Sequence, residues 1–160
     1  MTTVLLPITT RKNTLSDIVK IIKNSIQLFE NTEDINFEFK ANIKTEGFIY
    51  ADKEQVLRVF TNLIKNSTQA IPKERKGLIL IEISDLEKSY IIKVVDNGTG
   101  ISKQMIPKIF QPNFTTKSGG MGLGLSMVKS LLISNNATIY FETKENIGTE
   151  FIIEIPMYNN

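Results

Sequence analysis

The chain has 160 residues, the size of one ordinary domain, and its 19 basic and 17 acidic residues nearly cancel, so no strong field selects nucleic acid or an anionic membrane. It holds no cysteine and no histidine, which excludes disulfides, thiolate nucleophiles, Ser-His-Asp triads, His-ligated metals and a phosphorylated His within this chain. No apolar run approaches the roughly 18 residues of a membrane span. Met1–Thr10 also lacks the basic start and apolar core of a signal peptide, so the cytoplasm is the expected compartment.

Residues 1–13 read as a leader, with one strand at Thr3–Leu6. Thr14 followed by Asp17 is a capping-box pattern, and Leu15, Ile18, Ile22, Ile26 and Phe29 then mark one apolar face, which predicts a helix over Thr14–Phe29. Ile35, Phe37, Phe39, Ala41 and Ile43 alternate with polar residues as in a half-buried strand, and a short strand follows at Phe48–Tyr50. Asp52 is placed to cap a second helix whose buried stripe is Val56, Val59, Phe60, Leu63, Ile64 and Ala70; Pro72 stops it. Leu78–Ser84 and Tyr90–Val95 read as an antiparallel pair. Residues 101–120 are irregular, with a short helical piece near Ser102–Ile109, and the glycines of Gly119–Gly124 open into a helix at Leu125–Ser134. Strands at Thr138–Thr143 and Glu150–Ile155 close the chain. This order predicts an α+β fold, a two-layer sandwich of one mixed sheet with three helices on one face.

Three constellations bear on chemistry. Gly119-Gly120-Met121-Gly122-Leu123-Gly124 precedes a helix, so the backbone can approach an anion and the first helical N–H groups can point at it; a flexible loop is the alternative. The Walker A pattern is absent, and the glycines stand too late in the chain for a dinucleotide fingerprint. Asp96 ends an apolar strand before Asn97-Gly98-Thr99-Gly100-Ile101; it is either an acceptor for the amino group of adenine or a turn residue. Asn62 and Asn66, four residues apart, share a helix face at the edge of the apolar stripe, either beside Mg²⁺ on a nucleotide's phosphates or simply solvated.

Taken together and in order, these segments resemble the catalytic ATP-binding domain of bacterial sensor histidine kinases, within the superfamily that also holds gyrase, heat-shock chaperones and mismatch-repair ATPases. Asn62-Leu63-Ile64-Lys65-Asn66 resembles its N box and Asp96-Asn97-Gly98-Thr99-Gly100 its first glycine box. Ile109–Lys117 resembles the phenylalanine box, Gly120–Leu125 the second glycine box, and Gly148-Thr149-Glu150-Phe151 the closing strand motif. The resemblance implies the Bergerat ATP-binding fold over residues 14–160, with ATP and Mg²⁺ as cofactors. It implies that Asp96 accepts from adenine with Thr149 in support, and that Gly98 and Gly100 let the chain pass close to the base beside Ile101. Asn66 becomes the Mg²⁺ ligand and Asn62 its catalytic neighbour. Ser102–Gly119 becomes a mobile lid anchored by Phe110 and Phe114. Lys117 reaches the γ-phosphate, and the Gly120, Gly122, Leu123 and Gly124 backbone cradles the phosphates.

Two departures stand out. Gln69 occupies a position where many members carry Lys or Arg, and Lys117 is the expected compensation. The histidine-bearing hairpin is missing, so the chain reads as the catalytic piece of a longer sensor kinase that phosphorylates its own dimerisation domain and serves a response regulator. Hydrolytic members place Glu where Asn62 stands, and an amide cannot take a proton from water, so transfer is favoured over hydrolysis. A nucleotide-binding regulatory module and an ATPase of the superfamily are the alternatives.

Overall fold

The structure is a computed structural model that describes residues 12–112 and 124–159. In chain order it contains β1 (Asn13–Asp17), α1 (Ile18–Gln27), β2 (Ile35–Asn42), β3 (Phe48–Asp52), α2 (Lys53–Ala70), β4 (Gly77–Leu86) and β5 (Ser89–Asp96). A single 3-10 turn at Ile106–Lys108 precedes α3 (Gly124–Ser134), β6 (Thr138–Lys144) and β7 (Gly148–Pro156). The main sheet has the order β2-β4-β5-β7-β6, with only the β2–β4 pair parallel. The expected mixed sheet and the three helices are present. The strand read at Thr3–Leu6 lies outside the described residues.

Boundaries differ most clearly at the first helix, which ends at Gln27 rather than Phe29. The first helix begins at Ile18, four residues after Thr14, because Asn13–Asp17 pairs antiparallel with β3 in a separate two-stranded sheet. Asp17 is therefore the N-cap, accepting from Lys20 N at 3.1 Å, and Thr14 bonds Ser16 instead. Local capping preference lost to a strand pairing across the chain. Asp52 caps α2 as expected, accepting from Glu54 N at 3.1 Å and Gln55 N at 3.3 Å. Its second carboxylate oxygen accepts from Lys12 N, and its own N–H donates to Asn135 after α3. Asn135 in turn donates to Gln55 and to the Leu131 carbonyl. One buried carboxylate and one buried amide thus join β1, β3, α2 and α3 at a single corner.

Strand alternation sets the core. Ile79, Ile81 and Ile83 of β4, Tyr90, Ile92 and Val94 of β5, and Phe151, Ile153 and Ile155 of β7 are all buried. The register places them opposite one another in cross-strand rows. α2 packs over β4 and β5 and contacts both α1 and α3, with Val56, Val59, Phe60, Leu63 and Ile64 buried. The last core-facing row is Ile79, Asp96, Thr149 and Thr143, at the end of the sheet nearest the C-terminal half of α2. A carboxylate and two hydroxyls therefore continue a row pattern that is otherwise hydrocarbon.

The cap assignment has a measurable consequence. Asp17→Ala should lower the unfolding free energy by about 1 kcal/mol in urea titration, and Thr14→Ala by a few tenths at most. The reverse order would return the helix start to Thr14.

Candidate nucleotide site

The site is built around Asp96, which is 5% exposed at the end of β5. Its Oδ1 accepts from Gly98 N at 2.9 Å. Burial pushes its pKa above the ordinary carboxylate value, opposed by the Gly98 N–H, the Ser67 hydroxyl and the Thr149 backbone. Ser67, 1% exposed on α2, influences the carboxylate from the helix layer, yet its Oγ completes no well-formed hydrogen bond within the described residues. Sequence reasoning passed over Ser67; its signal is the step of three from Ile64, which puts a hydroxyl in the buried stripe.

The loop after Asp96 is held from two sides. Toward α2, Thr99 N donates to the Ala70 carbonyl and Asn97 exchanges bonds with Lys76 O and Leu78 N. Arg75 Nη1 donates to the carbonyls of Asn97 and Gly98. Toward β6 and β7, Asn146 N donates to Thr99 O, and Ile101 N donates to Thr143 Oγ1 at 2.9 Å. Thr143 Oγ1 also lies 2.9 Å from Thr149 Oγ1 and 3.1 Å from Gly148 O. This packing explains the two glycines. A Cβ on Gly98 would stand 2.6 Å from the Ala70 carbonyl oxygen and 2.8 Å from Asp96 Oδ1. Gly100 has φ +69° and a Cβ there would collide with the Lys144 carbonyl. Both glycines are thus required by protein–protein approach, whatever passes above them.

α2 brings the paired amides to the same end of the sheet. Asn62 and Asn66 are half-buried one turn apart, and Asn62 Nδ2 donates to the Arg58 carbonyl at 2.8 Å. Gly124, the first residue of α3, faces them: a Cβ built on it would lie 3.8 Å from Asn62 Oδ1 and 4.0 Å from Asn66 Nδ2. The N-terminal end of α3, the positive end of its helix dipole, therefore meets the amide pair. Gln69 is exposed on α2.

Of the expected lid, Ser102–Pro112 is described. It is held by turn bonds from Met105 N and Ile106 N to Ser102 O and from Gln111 N to Lys108 O. Ile109 is buried in the core, and Phe110 stacks edge-on against Phe141 with ring centres 5.8 Å apart, while Lys129 Nζ lies 5.2 Å over its ring. The first half of the segment therefore has more to bury than its composition suggests. Phe114, Lys117, Gly120, Gly122 and Leu123 lie outside the described residues. The sequence pattern reveals neither Arg75 nor Thr143: the bonds from Arg75 to residues 97 and 98 and from Ile101 N to Thr143 each span more than twenty positions, which no local pattern encodes.

Comparison with known proteins identifies this arrangement. The family profile described as histidine kinase-, DNA gyrase B-, and HSP90-like ATPase matches residues 51–159. Sporulation kinase D of Bacillus subtilis (strain 168) is 33% identical over 145 residues, covering 91% of this chain and 28% of the relative. Sensor histidine kinase ZraS of Escherichia coli (strain K12) is 34% identical over 144 residues, covering 88% of this chain and 30% of the relative. The chain thus spans under a third of the length of either relative. The solved catalytic domain of histidine kinase ThkA superposes with a TM-score of 0.79 at 31% identity, covering 91% of this chain and 95% of that one. ThkA in complex with the response regulator protein TrrA matches with a TM-score of 0.73 at 28% identity, covering 92% of this chain and 42% of that one.

Burial of Asp96 makes a prediction about the protein without nucleotide. Its raised pKa means that the folded chain binds this proton more tightly than the unfolded chain, so ionisation removes stability as pH rises from the ordinary 3.8 through the folded value. Asp96→Asn should therefore unfold at an equal or higher temperature than the parent at pH 7, with the gain vanishing below pH 3.8. A clear drop in Tm at pH 7 would mean that the carboxylate is a net stabiliser of the fold.

Proposed function

The chain belongs to the histidine kinase-, DNA gyrase B-, and HSP90-like ATPase family and is homologous to the catalytic domains of sensor histidine kinases, and from that membership we propose that it binds ATP and presents the γ-phosphate to a histidine on a separate domain. The observation that carries this reading is Asp96: a carboxylate buried at a strand end among groups that, within the described residues, are uncharged. Such a group is suited to accept from the exocyclic amine of adenine, with Thr149 beside it on β7. Ile101 and Phe110 would border the nucleotide from the loop side, and Phe114 would add a second anchor.

The phosphates would lie toward Asn62, Asn66 and the start of α3, where Gly124 meets the amide pair. The Gly120, Gly122, Leu123 and Gly124 backbone would cradle them, as the start of a helix favours anions. Lys117 would reach the γ-phosphate. Asn66 is the proposed protein ligand to Mg²⁺. Among the described residues no group of three acidic, His or Cys side chains could hold a metal, so the ion would depend mainly on phosphate oxygens and water, which suits Mg²⁺. When bound, Mg²⁺ neutralises charge on the transferring phosphates.

The reaction type follows from what the chain lacks and holds. The sequence has no His, so the acceptor is on another domain or chain. Asn62 cannot act as a general base on water, and its Nδ2 is already donated to Arg58 O. Phosphoryl transfer asks this domain only for positioning and charge compensation. The proposed partners are the histidine-bearing dimerisation domain of the same protein and the receiver domain of a response regulator, an association that the ThkA–TrrA complex shows for ThkA. Residues 14–160 are the proposed catalytic unit, with residues 1–13 as the link to the dimerisation domain. No described helix is long and apolar enough to cross a membrane, and the proposed location is the cytoplasm.

Calorimetry and labelled ATP test the proposal. The parent should bind ADP and ATP, take up no stable phosphate, and turn over ATP slowly. Asp96→Asn should weaken ADP by about tenfold to a hundredfold, the loss of one charge-assisted hydrogen bond, and reduce preference for adenine over guanine. Unchanged affinity and preference would return Asp96 to a turn residue, and brisk steady hydrolysis would favour an ATPase.

A further inference from the structure

Arg75 stands in the loop between α2 and β4, outside all five motifs. Its Nη1 donates to Asn97 O at 2.5 Å and to Gly98 O at 2.7 Å. Among the described residues the one salt bridge is Lys93–Glu150 on the outer face, so the Arg75 guanidinium is directed to carbonyls and not to a carboxylate. The Asn97 carbonyl belongs to the same peptide unit as the Gly98 N–H, which donates to Asp96 Oδ1 at 2.9 Å. A continuous chain therefore runs from guanidinium to peptide to carboxylate. A cation bonded to a peptide oxygen makes the N–H of that peptide a stronger donor.

We propose that Arg75 is a positioning residue for base recognition: through the 97–98 peptide it orients and strengthens the Gly98 N–H that holds the Asp96 carboxylate in place. The proposal rests on the reading of Asp96 as the adenine acceptor. It is separable from mere anchoring of the loop. Asn97 independently fastens the loop to β4 through Leu78 N and Lys76 O, and Thr99 fastens it to Ala70. The loop should thus keep its place when Arg75 is changed, while the carboxylate loses its reinforced donor. Asp96 is faced by Ser67 from α2, Ile79 from β4, Thr149 from β7 and Gly98 from the loop, all uncharged, and the 97–98 peptide is the hydrogen-bonded link between it and Arg75.

Arg75→Met and Arg75→Lys in the whole chain test this. In nucleotide-free protein, carbon-13 NMR of the Asp96 carboxyl should show its titration midpoint moved up in Arg75→Met and partly restored in Arg75→Lys. The Gly98 amide proton should move upfield in the Met variant, the signature of a weaker hydrogen bond. ADP affinity should fall by about threefold to tenfold, a fraction of one charge-assisted bond, with GDP less affected. Two results overturn the proposal: an unmoved midpoint and Gly98 shift, whatever ADP does, or unchanged ADP affinity in Arg75→Met. If the parent itself binds no ADP, the functional reading fails, and the midpoint alone decides whether Arg75 acts on Asp96.

Discussion

Taking a carboxylate out of water without a cation beside it costs free energy unless donors take the place of the lost hydration. Asp96 is placed where that cost is unavoidable, because β5 alternates and Tyr90, Ile92, Val94 and Asp96 all fall on the core face. The surroundings are organised to meet it. The loop turns back so that Gly98 N reaches Oδ1, which needs the absence of a side chain at residue 98 and a left-handed backbone at Gly100. The remaining capacity of the carboxylate is what a ligand amine can satisfy. Stability given up at this position would be available to a bound amine, in line with functional groups that cost their scaffold stability.

The second half of the site depends on helix geometry. One turn of α2 separates Asn62 from Asn66, so both amides look toward the start of α3, and the buried Ser67 turns toward the sheet and Asp96. In the proposed function a single helix would therefore address the base end and the phosphate end of the nucleotide with adjacent residues. The far end of α2 is fixed by the Asp52–Asn135 corner, which also ties down the end of α3. The two helices that would flank the nucleotide are thereby locked to each other at the corner remote from it, and their facing ends carry the glycine and the amides.

Much of this was legible in the sequence where the determining forces are local. The periodicity of Val56, Val59, Phe60, Leu63 and Ile64 and the cap at Asp52 located α2 to within a residue. The alternations in β4 and β5 place the central strands to within two residues. The start of α1 is not legible in this way, because Thr14 and Asp17 satisfy a local capping pattern that pairing between β1 and β3 overrides. The resemblance marks Phe110 as a lid anchor, but nothing nearby in sequence announces Phe141 as its support or the burial of Ile109 beside it. Arg75 and Thr143 escaped for the same reason: their partners are carbonyls, amides and hydroxyls brought near by sheet order. Polar residues that serve a site by bonding backbone leave no periodic trace.

The central claim is that the buried carboxylate reads the base while the amide pair and α3 receive the phosphates. A crystal structure of this chain with a non-hydrolysable ATP analogue and Mg²⁺ tests it most directly. The account predicts the adenine amino group within hydrogen-bond distance of Asp96, and the metal on the Asn66 side-chain oxygen with the phosphates against the start of α3. A nucleotide seated elsewhere, with Asp96 still bonded only to Gly98 and its protein neighbours, would contradict it.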